Sequence, residues 1–115
     1  MTDALAVGPS RWGLSPRGPR EPVFVGVIQA RFRIRGARSL KEKRRVIKSL
    51  KERVAHRFNV SIAEVDDLEA HQLATLGVAL VGGEKGFVDR CVDEVRRYLE
   101  RDPEAELIDA TVEVL

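Results

Sequence analysis

The sequence predicts an α+β domain of order β-α-β-β-α-β, with a four-stranded antiparallel sheet and both helices on one face. Three observations predict it: two segments with a helical period, four with a strand period placed around them, and only enough chain for one core. The chain has 115 residues, 43% hydrophobic and 33% charged, the composition of one ordinary well-solvated domain.

The first 22 residues, MTDALAVGPSRWGLSPRGPREP, hold four of the five prolines and three glycines and have neither period, so they predict a flexible tail before a single domain at 23–115. The longest apolar run in that tail is ALAV, too short for a signal peptide, and nothing targets the chain to a membrane. Trp12 is the tail's one docking-anchor candidate, beside the plainer reading of an aromatic with no dedicated partner. The single cysteine, Cys91, cannot close an intrachain disulfide, and a cytoplasmic setting is expected.

From Val23 the pattern changes. In VFVGVIQARFRIR, Phe24, Gly26, Ile28, Ala30, Phe32 and Ile34 recur at period two, the pattern of a strand with Arg31, Arg33 and Arg35 on its other face. Gly36 ends it, and Ser39 with Glu42 reads as a reciprocal capping box opening a helix to about residue 57. Its apolar stripe is Leu40, Val46, Ile47, Leu50 and Val54. NVSIAEV at 59–65 and LATLGVALVG at 73–82, separated by DDLEAHQ, read as a hairpin. A second helix at about 85–101 gathers Phe87, Val88, Cys91, Val92, Val95, Tyr98 and Leu99 on one face and stops before Pro103. Ile108, Ala110, Val112 and Val114 alternate with polar residues in a last strand. With right-handed crossovers this order is the ferredoxin-like split βαβ, which leaves one sheet face open.

The net charge of +2 conceals a division. Residues 1–58 carry 15 Lys/Arg against 4 Asp/Glu, and residues 59–115 carry 5 against 14. Such asymmetry fits a surface facing a polyanion, and equally two halves that attract each other. On the first helix Lys41, Arg44, Arg45, Lys48 and Lys51 lie within about 60° to 80° of the direction opposite the apolar stripe. Like charges at i,i+4 repel, so this one-signed face is not chosen for helix stability, and an anionic partner such as RNA would relieve it. The plainer reading is a solvated face of good helix formers, with Glu42 and Glu52 as partial relief.

The open sheet face is expected to carry Val23, Val25, Val27, Gln29, Arg31 and Arg33 from the first strand, and Leu73, Thr75, Gly77, Ala79 and Val81 from the third. It lacks the aromatics on which RNA-recognition domains of this topology stack bases. Its aliphatic end, with Val25, Val27, Leu73, Thr75 and Ala79, fits protein contact or a homodimer better. Arg31 or Arg33 is expected to pair across strands with Asp109 or Glu113.

No motif predicts catalysis, a cofactor or a small-molecule substrate. VGGEKG lacks the Lys-Ser/Thr of a P-loop and reads as a strand-to-helix turn. Asp66, Asp67, Glu69 and His71 share one loop, but no second cluster completes a metal shell, so no metal site is expected. His56, late in the basic helix, has no chemical role to play. Cys91 reads as core packing, not as a nucleophile. Acyl-phosphate hydrolysis occurs on this fold, and RIRGARS leads into a helix N-terminus as a phosphate loop would, with Arg35 and Arg38 as its cations. The usual asparagine is missing, since Asn59 is the only one and starts a strand.

SLKEKRRVIKSLKERV, FNVSIAEVDD and QLATLGVALV together resemble the YlxP-like family, a small bacterial family of unknown function. The resemblance covers about 23–115. It implies a ferredoxin-like fold, a cytoplasmic location and no catalytic residues. Members are often encoded beside translation-initiation and ribosome-maturation factors, which implies a role near RNA or the ribosome by association. The first 22 residues lie outside the pattern, as a lineage-specific arm or an overextended start would, and His71 stands where relatives often carry the tryptophan of a WQ pair.

The expectation is therefore a non-enzymatic RNA- or ribosome-associated module contacting phosphates through Lys41, Arg44, Arg45, Lys48 and Lys51. The alternative is a homodimer or adaptor using the aliphatic sheet face.

Overall fold

The computed structural model describes residues 22–115; the expected tail, with Trp12, lies outside the described residues apart from Pro22. The elements are β1 (Phe24–Arg33), α1 (Leu40–Arg57), β2 (Ser61–Asp66), β3 (Leu73–Gly82), α2 (Lys85–Glu100) and β4 (Glu106–Val114). The strands form one antiparallel sheet in the order β2-β3-β1-β4, so this is the expected ferredoxin-like α+β fold. Among the described residues, no helix is long and apolar enough to cross a membrane.

Alternation along β1 sends Ile28, Ala30 and Phe32 into the core, where Ala74, Leu76, Val78 and Leu80 of β3 join them. Both helices cover this side: Val46, Ile47, Leu50 and Val54 from α1, and Val88, Val92, Val95 and Leu99 from α2. Each such side chain contributes about 1.5–3 kcal/mol by leaving water. Gly26 sets how close α2 approaches β1, since a Cβ there would run into Val88 and Val92.

Several elements depart from the sequence reading. Ser39 caps α1 by accepting from the Glu42 N–H at 3.1 Å, but the Glu42 carboxylate accepts from Arg38 N–H at 2.6 Å, one residue earlier than a reciprocal box requires. Leu40 is only half-buried because it occupies the first, outermost turn of the stripe. In β4 the register slips opposite Arg31 and Phe32, so Leu107 takes the core-side place beside Phe32 and Ile108 is left exposed. Phe87 is also exposed, in the first turn of α2, where its ring lies against Gly82.

Candidate functional site

Helix α1 has no internal Gly or Pro and is rich in Lys, Arg, Glu and Leu, so it propagates for 18 residues. Its spacing brings Lys41, Arg44, Lys48 and Lys51 into one row of steps 3, 4 and 3, about 15 Å long at 1.5 Å per residue. Lys41, Arg44, Arg45 and Lys48 are exposed as expected; Lys51 is half-buried. The reason is that Lys51 sits only about 40° around the helix from Ile47, one turn on, at the flank of the apolar stripe.

Among the described residues, Lys41, Arg44, Lys48 and Lys51 have no ion pair, while Arg45 approaches Glu104 at 3.8 Å. Neither acid on the helix relieves the row: Glu42 is turned back to Arg38, and Glu52 pairs with none of its cations. Helix α2 is arranged differently. Lys85 pairs with Asp89 at 3.3 Å, Arg96 with Asp93 at 2.8 Å and Glu100 at 2.6 Å, and Arg97 with Asp93 at 2.6 Å.

Lys43, which the sequence reading left unassigned, faces inward and is fully buried. Its ammonium donates to Glu64 Oε2 at 2.9 Å and to the carbonyls of Asp67 at 2.9 Å, Leu73 at 3.1 Å and Leu68 at 3.4 Å. It thereby ties α1 to both strands of the β2–β3 hairpin at its loop end. The signal was present: Lys43 lies three, four and seven residues before Val46, Ile47 and Leu50, inside the stripe. Glu64 follows Ile62 by two on the core side of β2, where it stands opposite Leu76.

The hairpin loop turns at Asp67, which adopts φ 59, a left-handed conformation that Asp tolerates better than most residues. Its carboxylate accepts from the Thr75 hydroxyl at 2.6 Å and from Arg31 Nε at 3.1 Å. The Thr75 hydrogen bond is the main influence holding this carboxyl below its ordinary range, with the Arg31 guanidinium adding to it against the opposing effect of burial. Arg31 therefore pairs with Asp67, not with Asp109 as expected, although Asp109 is its register partner on β4. The contact comes from the turn at Asp67, between β2 and β3, and not from the edge strand.

On the open face, Val25 stands opposite Val81, Val27 opposite Ala79, Gln29 opposite Gly77, and Arg31 opposite Thr75. Val25, Val27, Leu73 and Ala79 are half-buried on the expected side. Thr75 is a correction: it is 5% exposed and its hydroxyl is committed to Asp67, so it is no contact surface. Gly77 lets Val65 fold across the sheet, since a Cβ there would come within 3.1 Å of Val65 Cγ1.

Gln72 secures the β1–α1 loop by donating to the carbonyls of Ala37 at 2.9 Å and Arg35 at 3.2 Å, while His71 beside it is exposed. A cleft of about 550 Å³ lies between that loop, the start of α1 and the α2–β4 turn. Its cations are partly matched by its acids, with Arg35 on Glu106 at 3.1 Å and Arg45 near Glu104. Cys91 is half-buried against the core.

Residues 25–112 match the family described as "Protein of unknown function (DUF503)". The "Uncharacterized protein YlxP" of Bacillus subtilis (strain 168) is 33% identical over 83 residues, which are 72% of this chain and 90% of that protein. Among solved structures, the de novo designed protein Foldit4 is 19% identical, with a TM-score of 0.48 over 82% of this chain and 97% of its own.

Proposed function

Because this chain belongs to the DUF503 family, whose description assigns no activity, we propose from its own geometry that it is a non-enzymatic RNA- or ribosome-associated module that binds through α1. One observation carries this reading: among the described residues α1 presents a row of four cations about 15 Å long without ion pairs, while the neighbouring helix pairs three of its four cations, Lys85, Arg96 and Arg97, with its own acids. A row of fixed positive charge releases counterions when it meets phosphates, which supplies affinity without sequence preference. The aromatics near its C-terminal end are engaged with each other. Phe58 and Tyr98 meet edge to face at 5.7 Å, and the Arg57 guanidinium lies 5.6 Å and 5.2 Å from their ring centres. Contact is therefore to the backbone and not by base stacking.

The test is co-sedimentation of the protein with ribosomal subunits and with naked ribosomal RNA across a salt series. Four phosphate contacts on a duplex give a log–log salt slope of roughly −3.5. Lys41→Glu, Arg44→Glu and Lys48→Glu together remove binding while leaving the circular dichroism spectrum and melting temperature in place, because all three side chains are exposed and none has an ion pair among the described residues. Absence of binding at low salt, or binding unchanged in the triple variant, refutes the reading.

A further inference from the structure

We propose that the open sheet face is a self-association surface, covered by the same face of a second copy of this chain. Among the described residues, half of the large exposed hydrophobic residues collect there. Val81 is 63% exposed and Leu115 64%, and both flank Val25: Val81 by strand register, Leu115 by paired backbone hydrogen bonds of 3.0 and 2.8 Å. Val23 continues this end by alternation, and Val65 lies across Gly77 beside it.

Area and self-complementarity select a second copy as the occupant. The apolar end of the face, about seven residues long across strands about 4.8 Å apart, presents roughly 450 Å², so two copies bury on the order of 900 Å², the range of weak, transient contacts. That size fits a weak dimer, not an obligate one. A two-fold axis parallel to the strands and running between β1 and β3 lays Val25 on the partner's Val81 and Val81 on the partner's Val25. It also places β1 over the partner's β3, so that Val27 meets Ala79 and Gln29 meets Gly77, the larger side chain of each pair opposite the smaller. Twisted sheets diverge away from the centre of their contact, so with the contact centred on the apolar end, the polar end with Asp66, Arg31 and Asp109 stays solvated. Both helical layers then face outward, and the surface is independent of α1.

Sedimentation velocity from low micromolar to submillimolar protein is expected to show a reversible monomer–dimer equilibrium. Val27→Lys weakens it about tenfold or more, because a charge is left without a partner inside the contact. Val81→Glu does the same from a position already exposed in the monomer, so that loss of folding cannot account for it. A mixture of Val27→Cys chains with Ala79→Cys chains, both carrying Cys91→Ala, yields a mixed disulfide dimer. A monomer at every concentration, or a dimer that neither charged variant weakens, overturns the proposal; failure of the mixed disulfide overturns the packing arrangement.

Discussion

Replacing Lys43 by Met keeps the aliphatic stem in the core and removes only the ammonium. In the native protein that ammonium is buried, with Glu64 and three carbonyls around it. Its loss leaves the Glu64 carboxylate, 12% exposed, without its cation, and the hairpin carbonyls without their shared donor. Breaking a buried pair from one side costs about 3–5 kcal/mol. Near 2.1 cal/mol/K per residue, a domain of this size loses about 5 °C in melting temperature per kcal/mol, so the variant melts roughly 15–25 °C lower. Urea and thermal unfolding followed by circular dichroism read this directly. The double variant Lys43→Met/Glu64→Leu regains part of the loss, since an apolar pair of similar volume replaces an ion pair at little net cost. A loss below about 1 kcal/mol in the single variant refutes the account of Lys43 as the tie between α1 and the hairpin, as such a value belongs to an exposed pair.

Gly26→Ala forces a methyl group against Val88 and Val92 and destabilises the domain by about 1–3 kcal/mol, read as a lower urea midpoint with unchanged slope. Thr75→Val removes the main donor to Asp67 and lets its carboxyl rise toward the ordinary aspartate value, about 3.9. A carboxyl lowered in the folded state adds stability that is complete above the unfolded value and is lost as pH falls through the folded one. The variant therefore loses stability at neutral pH and shows a shallower decline below about pH 4, measured by unfolding across pH with a carboxyl NMR titration of Asp67.

The fold was legible because every element carries its own period and its own stop. The strand β3 matches its apolar run end to end, and α1 ends within the turn where its stripe ends. What escaped was set by single-residue geometry. The bulge in β4 shifts Ile108 off the core side without leaving a turn residue to mark it. Arg31 found its carboxylate 36 residues away in a loop whose conformation depends on one left-handed Asp, and strand alternation is silent about loops. Lys43 was hidden by company, because a lysine among lysines and arginines reads as surface unless its place on the wheel outweighs its charge.

Part of the division of charge along the chain is consumed by pairing within the fold. Arg31 pairs with Asp67, Arg35 with Glu106, Lys43 with Glu64 and Arg53 with Asp102, while Arg45 approaches Glu104; in each case a cation before residue 58 meets an acid after it. Mutual attraction of the halves is thus part of the fold. It runs through the hairpin and the α2–β4 turn, where Asp102 also accepts from the N–H groups of Glu104 and Ala105 at 3.0 and 2.8 Å. These pairs do not reach Lys41, Arg44 or Lys48, although Glu104 stands close enough to touch Arg45 from the same side of the molecule. A charge excess that served only to hold the halves together would be consumed where they meet. Of the cations left without an ion pair among the described residues, Lys41, Arg44, Lys48 and Lys51 stand in one row on α1, away from that meeting line, where like-charge repulsion is unfavourable.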